Sequence, residues 1–98
     1  MLNSKQRGRL SAIAQTRDSL VALGRAGMSP ELASRLASLL DSHELVKLRF
    51  VGYKESKEEL AARLAEATGS DLVRVIGNIA VFWKRNPDPE KRSLDVDF

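Results

Sequence analysis

Apolar residues recur along this chain at two different periods. In residues 4–16, SKQRGRLSAIAQT, Leu10, Ile13 and Ala14 fall on one side of a helix. Lys5, Arg9 and Thr16 fall on another side, and Arg7 flanks the apolar one. Residues 18–23 are a short apolar run that stops at Gly24 and reads as a buried strand. Residues 29–42 return to helical spacing, with Leu32, Leu36, Leu39 and Leu40 as the stripe. Residues 44–51, ELVKLRFV, alternate: Val46, Leu48 and Phe50 point one way, Lys47 and Arg49 the other. A third helix is expected over 56–69, then two strands, DLVRVIG and IAVFWKR.

Local chemistry marks the boundaries. Asn3 or Ser4 can cap the first helix, and with Asn3 as cap Gln6 completes a capping box. Ser29 caps the second, and Pro30 takes the first helical position, where a missing N–H is harmless. Ser56 and Glu59 suit a capping box on the third, and Gly69 its stop. Gly77-Asn78 is a two-residue hairpin signal. The order α-β-α-β-α-β-β implies an α/β chain of the α+β two-layer kind with a four-stranded mixed sheet. The β-α-β units give parallel neighbours and the final hairpin an antiparallel pair. Residues 1–85 read as one domain. Residues 86–98, with two prolines and few apolar positions, read as a flexible acidic tail.

Composition narrows the function classes. The chain has 98 residues, 43% hydrophobic and 30% charged, enough for one core. No apolar run approaches the roughly 18 residues that cross a membrane. No apolar segment follows the charged N-terminus, so a secretory signal is not expected and the cytoplasm is. With one histidine and no cysteine, neither a zinc shell nor a thiol nucleophile is expected. No Walker loop or Rossmann glycine pattern is present, so no cofactor, no small-molecule substrate and no enzymatic activity are expected. Net charge is +3, unevenly spread. Residues 1–35 carry six basic residues against two acidic, while 54–71 carry three against five. A one-sided basic surface suits a polyanion, or is simply a solvated face.

The sharpest motif is Gly24-Arg25-Ala26-Gly27. It is either a tight turn whose glycines serve geometry, or an anion site. On the second reading, glycines permit close backbone approach, the next helix offers free N–H groups, and Arg25 adds charge. The basic stripe of the first helix, Lys5, Arg7 and Arg9, continues through Arg17 toward this loop. The acidic third helix is expected to face away. Lys47 and Arg49, with Arg74, either widen that surface or keep an open sheet face soluble. His43-Glu44 reads as structural rather than as an acid–base pair, and Trp83 as packing. Tyr53 lies in a loop, its role open.

The segments SKQRGRLSAIA, VALGRAGMSPEL, HELVKLRF and LAEATGSDLVRVIGNIAVFWKRN stand in the order and spacing of the CRM domain, named for chloroplast RNA splicing and ribosome maturation. Over residues 2–86 the chain resembles the small YhbY-type bacterial members. The resemblance implies a fold similar to the C-terminal domain of initiation factor 3. It also implies RNA binding through a basic surface and a GxxG loop. The expected partner is rRNA in precursors of the large ribosomal subunit, bound by a monomer. Gly24, Arg25, Ala26 and Gly27 would form the clamp, and Lys5, Arg7, Arg9 and Arg17 would supply charge. The last strand departs from the family pattern, reading VFWK where members read close to VLYR, which leaves the role of Trp83 open. The competing expectation is a protein-interaction module docking through an exposed sheet face or the acidic tail.

Overall fold

Each pattern in the sequence becomes one element. The computed structural model describes residues 2–25 and 27–92. The elements are α1 (Ser4–Ala14), β1 (Val21–Leu23), α2 (Pro30–His43), β2 (Leu45–Phe50), α3 (Lys57–Thr68), β3 (Asp71–Ile76) and β4 (Ile79–Trp83), with a 3-10 turn at Pro89–Lys91. Asn3 and Gln6 form the reciprocal capping box of α1. The Ser29 hydroxyl accepts the Leu32 N–H at the start of α2. Gly69 ends α3 in the left-handed conformation. The box expected at Ser56 and Glu59 does not form. Ser56 has φ 64° and makes no side-chain capping bond. A capping serine needs extended backbone to bring its oxygen to the helix N–H groups.

The sheet order is β1-β2-β4-β3. β1 and β2 are parallel, joined by α2, with Val21 opposite Leu48 and Leu23 opposite Phe50. β4 runs antiparallel to both β2 and β3. Only the first β-α-β unit therefore gives neighbouring parallel strands. The tight turn at Gly77-Asn78 lays β4 beside β3, and β4 inserts between β3 and β2. Composition explains its place: Ala80, Val81, Phe82 and Trp83 are all buried, as a central strand packed on both faces requires.

Two apolar clusters lie on opposite faces of the sheet. Val46, Leu48, Phe50 and Phe82 pack with Leu36 and Leu40 of α2 and Leu64 of α3. Leu45, Val81 and Trp83 pack with Leu10 and Ala14 of α1. The sheet is thus packed on both sides, a fuller arrangement than two layers, because the narrow stripe of α1 covers part of the second face. Trp83 belongs to that second cluster. β1 pairs only with β2 at one edge, and α1 rests on β2, β3 and β4, leaving the face near β1 open.

The segment after β4 is tied back at its start. Glu44, only 2% exposed, has φ 62° and ψ −39°, a conformation rare for a residue with a Cβ. Its carbonyl accepts the Lys84 N–H at 2.8 Å and its carboxylate the Asn86 N–H at 2.7 Å. Asn86 in turn donates through its amide to the Asp41 carbonyl, and Arg92 donates to Asn86. The first part of the expected tail is therefore anchored to the α2–β2 junction. Residues 93–98 lie outside the described residues.

Candidate nucleic-acid interface

The GRAG loop follows β1, at the sheet end where the Gly77-Asn78 hairpin also lies. The Gly27 N–H donates to the Gly24 carbonyl at 3.0 Å, closing the turn. Gly27 has φ +72°, so this position needs glycine for the turn itself. Gly24 differs: its φ is not in the left-handed range, and a Cβ there would meet nothing within 4 Å. The fold gives no reason for glycine at 24, whereas close approach of another backbone does. Arg25 is exposed, and Ala26 lies outside the described residues.

Tyr53 holds this loop from beneath. Its hydroxyl donates to the Gly24 carbonyl at 3.0 Å, and its ring meets Phe50 edge-on at 5.7 Å between centroids. Nothing in the local sequence fixes this role for Tyr53. The signal was a lone tyrosine shortly after a strand whose partner strand runs into the glycine loop. The start of α2 offers less to an anion than its sequence suggested. Ser29 already takes one N–H, Pro30 has none, and Glu31 places a carboxylate in the first turn, where it opposes an incoming anion. The loop and Arg25 carry what anion attraction remains there.

The basic residues of α1 divide into two groups. The Arg7 guanidinium turns inward and donates to the carbonyls of Leu72 and, at 3.0 Å, Val73. These carbonyls lie at the register shift between Leu72 and Arg74, where the ladder cannot take both. Arg7 therefore braces a β-bulge instead of lying open on the helix face. It stands at the β3 edge while GRAG follows β1 at the other, three strand spacings or about 14 Å across. Lys5 and Arg9 are exposed on the same helix. α1 thus makes no unbroken track along its axis to the loop.

Arg17 lies elsewhere. It lines an open groove of about 890 Å³ on the face near β1, together with Arg35, Lys47 and Arg49. Asp18 is the one carboxylate in its lining, and Leu20, Ala22 and Ile79 supply apolar floor. Lys47 Nζ donates to the Arg17 carbonyl at 2.9 Å, which fixes the loop between α1 and β1. Arg49 stands opposite Ala22, two residues before the GRAG loop begins. Four cations from α2, β2 and the α1–β1 loop thus converge along β1, in a groove whose lining includes none of the described GRAG residues. Lys47 and Arg49 were ambiguous in the sequence. Their convergence with Arg17 and Arg35 is set by the parallel pairing of β1 with β2, which no local pattern specifies.

α3 packs on the opposite face of the sheet from α1, and its exposed Glu59 pairs with Arg63 at 2.9 Å, away from the groove. His43 is exposed while its neighbour Glu44 is buried, so the two do not share a cleft. Among the described residues no group of three or more His, Cys, Asp or Glu could hold a metal ion. No described helix is long and apolar enough to cross a membrane.

The model of the CRS1 / YhbY (CRM) domain family matches residues 2–84. A Bacillus subtilis protein named "Probable RNA-binding protein YqeI" is 27% identical over 95 residues, covering 96% of this chain and 99% of its own. A Haemophilus influenzae protein named "RNA-binding protein" is 27% identical over 84 residues, 85% of each chain. The solution structure of SAV1595 from Staphylococcus aureus, described as a hypothetical protein and candidate RNA binder, superimposes with a TM-score of 0.80. It is 30% identical and the match covers 96% of this chain and 99% of that one.

Proposed function

This chain belongs to the CRS1 / YhbY (CRM) domain family, and from that premise we propose that it is an RNA-binding assembly factor for precursors of the large ribosomal subunit. It works by binding, as a monomer in the cytoplasm, and not by catalysis. The observation that carries this reading is the groove along β1, the strand that leads into GRAG, where Arg17, Arg35, Lys47 and Arg49 face one carboxylate. Such a surface attracts phosphates, and Gly24 lets the backbone of the ligand come close. The names of the relatives support RNA as the polyanion. The competing reading, docking of a protein on an exposed sheet face, meets the difficulty that the open part of that face is this cationic groove.

The test is crosslinking in cells followed by sequencing, with sedimentation of the protein against ribosomal particles. The expected result is crosslinks to large-subunit rRNA and co-sedimentation with precursor particles. Protein confined to the top of the gradient, without rRNA crosslinks, overturns the proposal.

A further inference from the structure

A second, smaller cavity opens beside the groove, between α1 and the sheet. It has a volume of about 110 Å³ and shares Lys47 and Ile79 with the groove lining, so the two are contiguous. Its walls are apolar, made by Ala14, Ile79 and Val81. Ser11, 8% exposed, is in its lining; its hydroxyl oxygen is closed to solvent and has no hydrogen-bond partner among the described residues. A buried hydroxyl left unpaired is costly, and within a helix it usually bonds back to the preceding turn. At the mouth stand Arg74 and Ile76, the latter 55% exposed although large and apolar.

We propose that this cavity is a base pocket for a pyrimidine of single-stranded RNA, an inference that rests on the RNA-binding reading above. The parts match the chemistry of a splayed-out base. Apolar walls take the ring faces, and the Ser11 hydroxyl, both donor and acceptor, turns about its Cα–Cβ bond into the cavity to take a polar atom on the base edge. Arg74 at the mouth covers the ring or meets its phosphate. Lys47, held by the Arg17 carbonyl, stands where the sugar-phosphate passes from the pocket into the groove. Size selects the ring. An enclosed apolar cavity of about 150 Å³ holds one six-membered ring. This pocket, smaller but open at its mouth, takes one ring and not a fused pair. The serine does not separate uracil from cytosine, since it can donate to either or accept from either.

The experiment measures binding of oligouridylate, oligocytidylate and oligoadenylate of equal length to the wild-type chain and to Ser11→Ala. Because Ser11 has no partner to lose, the variant folds and is at least as stable as wild type. The wild-type chain is expected to prefer both pyrimidine oligomers, and Ser11→Ala to weaken these by about three- to tenfold while leaving oligoadenylate unchanged. NMR amide shifts at Ser11 and Ile79 should follow uridine monophosphate and not adenosine monophosphate. Equal binding of all three oligomers, or a pyrimidine preference that survives Ser11→Ala, overturns the pocket and leaves the RNA reading standing. Failure of the wild-type chain to bind any oligomer also overturns the pocket, while the rRNA reading falls only if the crosslinking and sedimentation test fails.

Discussion

At the scale of single residues, the two glycines of GRAG separate the demands of folding from those of binding. Gly27 carries the positive φ of the turn, so Gly27→Ala should destabilise the chain by about 1 kcal/mol. Gly24 carries no such constraint. Gly24→Ala should leave the denaturation midpoint in place, and Gly24→Leu should weaken RNA binding without unfolding the protein. Paired thermal melts and filter-binding curves decide the matter. A Gly24 variant that folds and binds normally removes the close approach on which the loop's role depends. Tyr53→Phe tests the underside of the same loop. Losing the bond to the Gly24 carbonyl should cost about 1 kcal/mol. It should also speed hydrogen exchange at the Gly27 amide, whose acceptor is that same carbonyl.

At the scale of elements, residues of one charge on one helix do different work. Arg7→Ala strips the β3 bulge of donors for two carbonyls and should destabilise by about 1–3 kcal/mol in denaturant titration. Lys5→Ala, at an exposed position, should stay within about 0.5 kcal/mol of wild type. The sequence could not distinguish these two, because the bulge that recruits Arg7 lies on β3, far along the chain. The same holds for strand order. Helix boundaries, the Asn3 box, the αL stop at Gly69 and the Gly77-Asn78 turn were legible because their causes are local. That β4 enters the middle of the sheet was legible only in outline, from its apolar run. The unmade box at Ser56 shows the limit of local signals, since the chain arrives there with a left-handed backbone. Glu44 is a further case. Its positive φ costs on the order of 1–3 kcal/mol and persists because β2 and the Lys84–Asn86 segment fix it from both sides. Glu44→Ala keeps the strain and loses the carboxylate, so amide exchange at Asn86 should accelerate. Unchanged protection there would mean that the bonds made by Lys84, the Asn86 amide and Arg92 hold the segment without the carboxylate.

At the scale of the whole molecule, the basic excess of the first 35 residues gains meaning from topology. Sequence alone placed the charge along α1. Folding moves the effective concentration of charge to the other edge of the sheet, where β1 and β2 bring Arg17 and Arg49 beside Arg35 and Lys47. The acidic α3 packs on the face away from α1 and contributes nothing to the groove lining. The molecule thereby acquires a sided field, which orients a polyanion before any contact forms. Counterion release makes this quantitative. Four phosphate contacts to a single strand predict a log-affinity against log-salt slope of about −3. Removing one groove cation, as in Arg49→Ala, should reduce that slope by about 1 and weaken all RNA sequences alike. Arg63→Ala should do neither, since Arg63 pairs with Glu59 on α3 and lies outside the groove lining. Affinity that ignores salt, or a slope that falls as much for Arg63→Ala as for Arg49→Ala, would place the polyanion surface somewhere other than this groove.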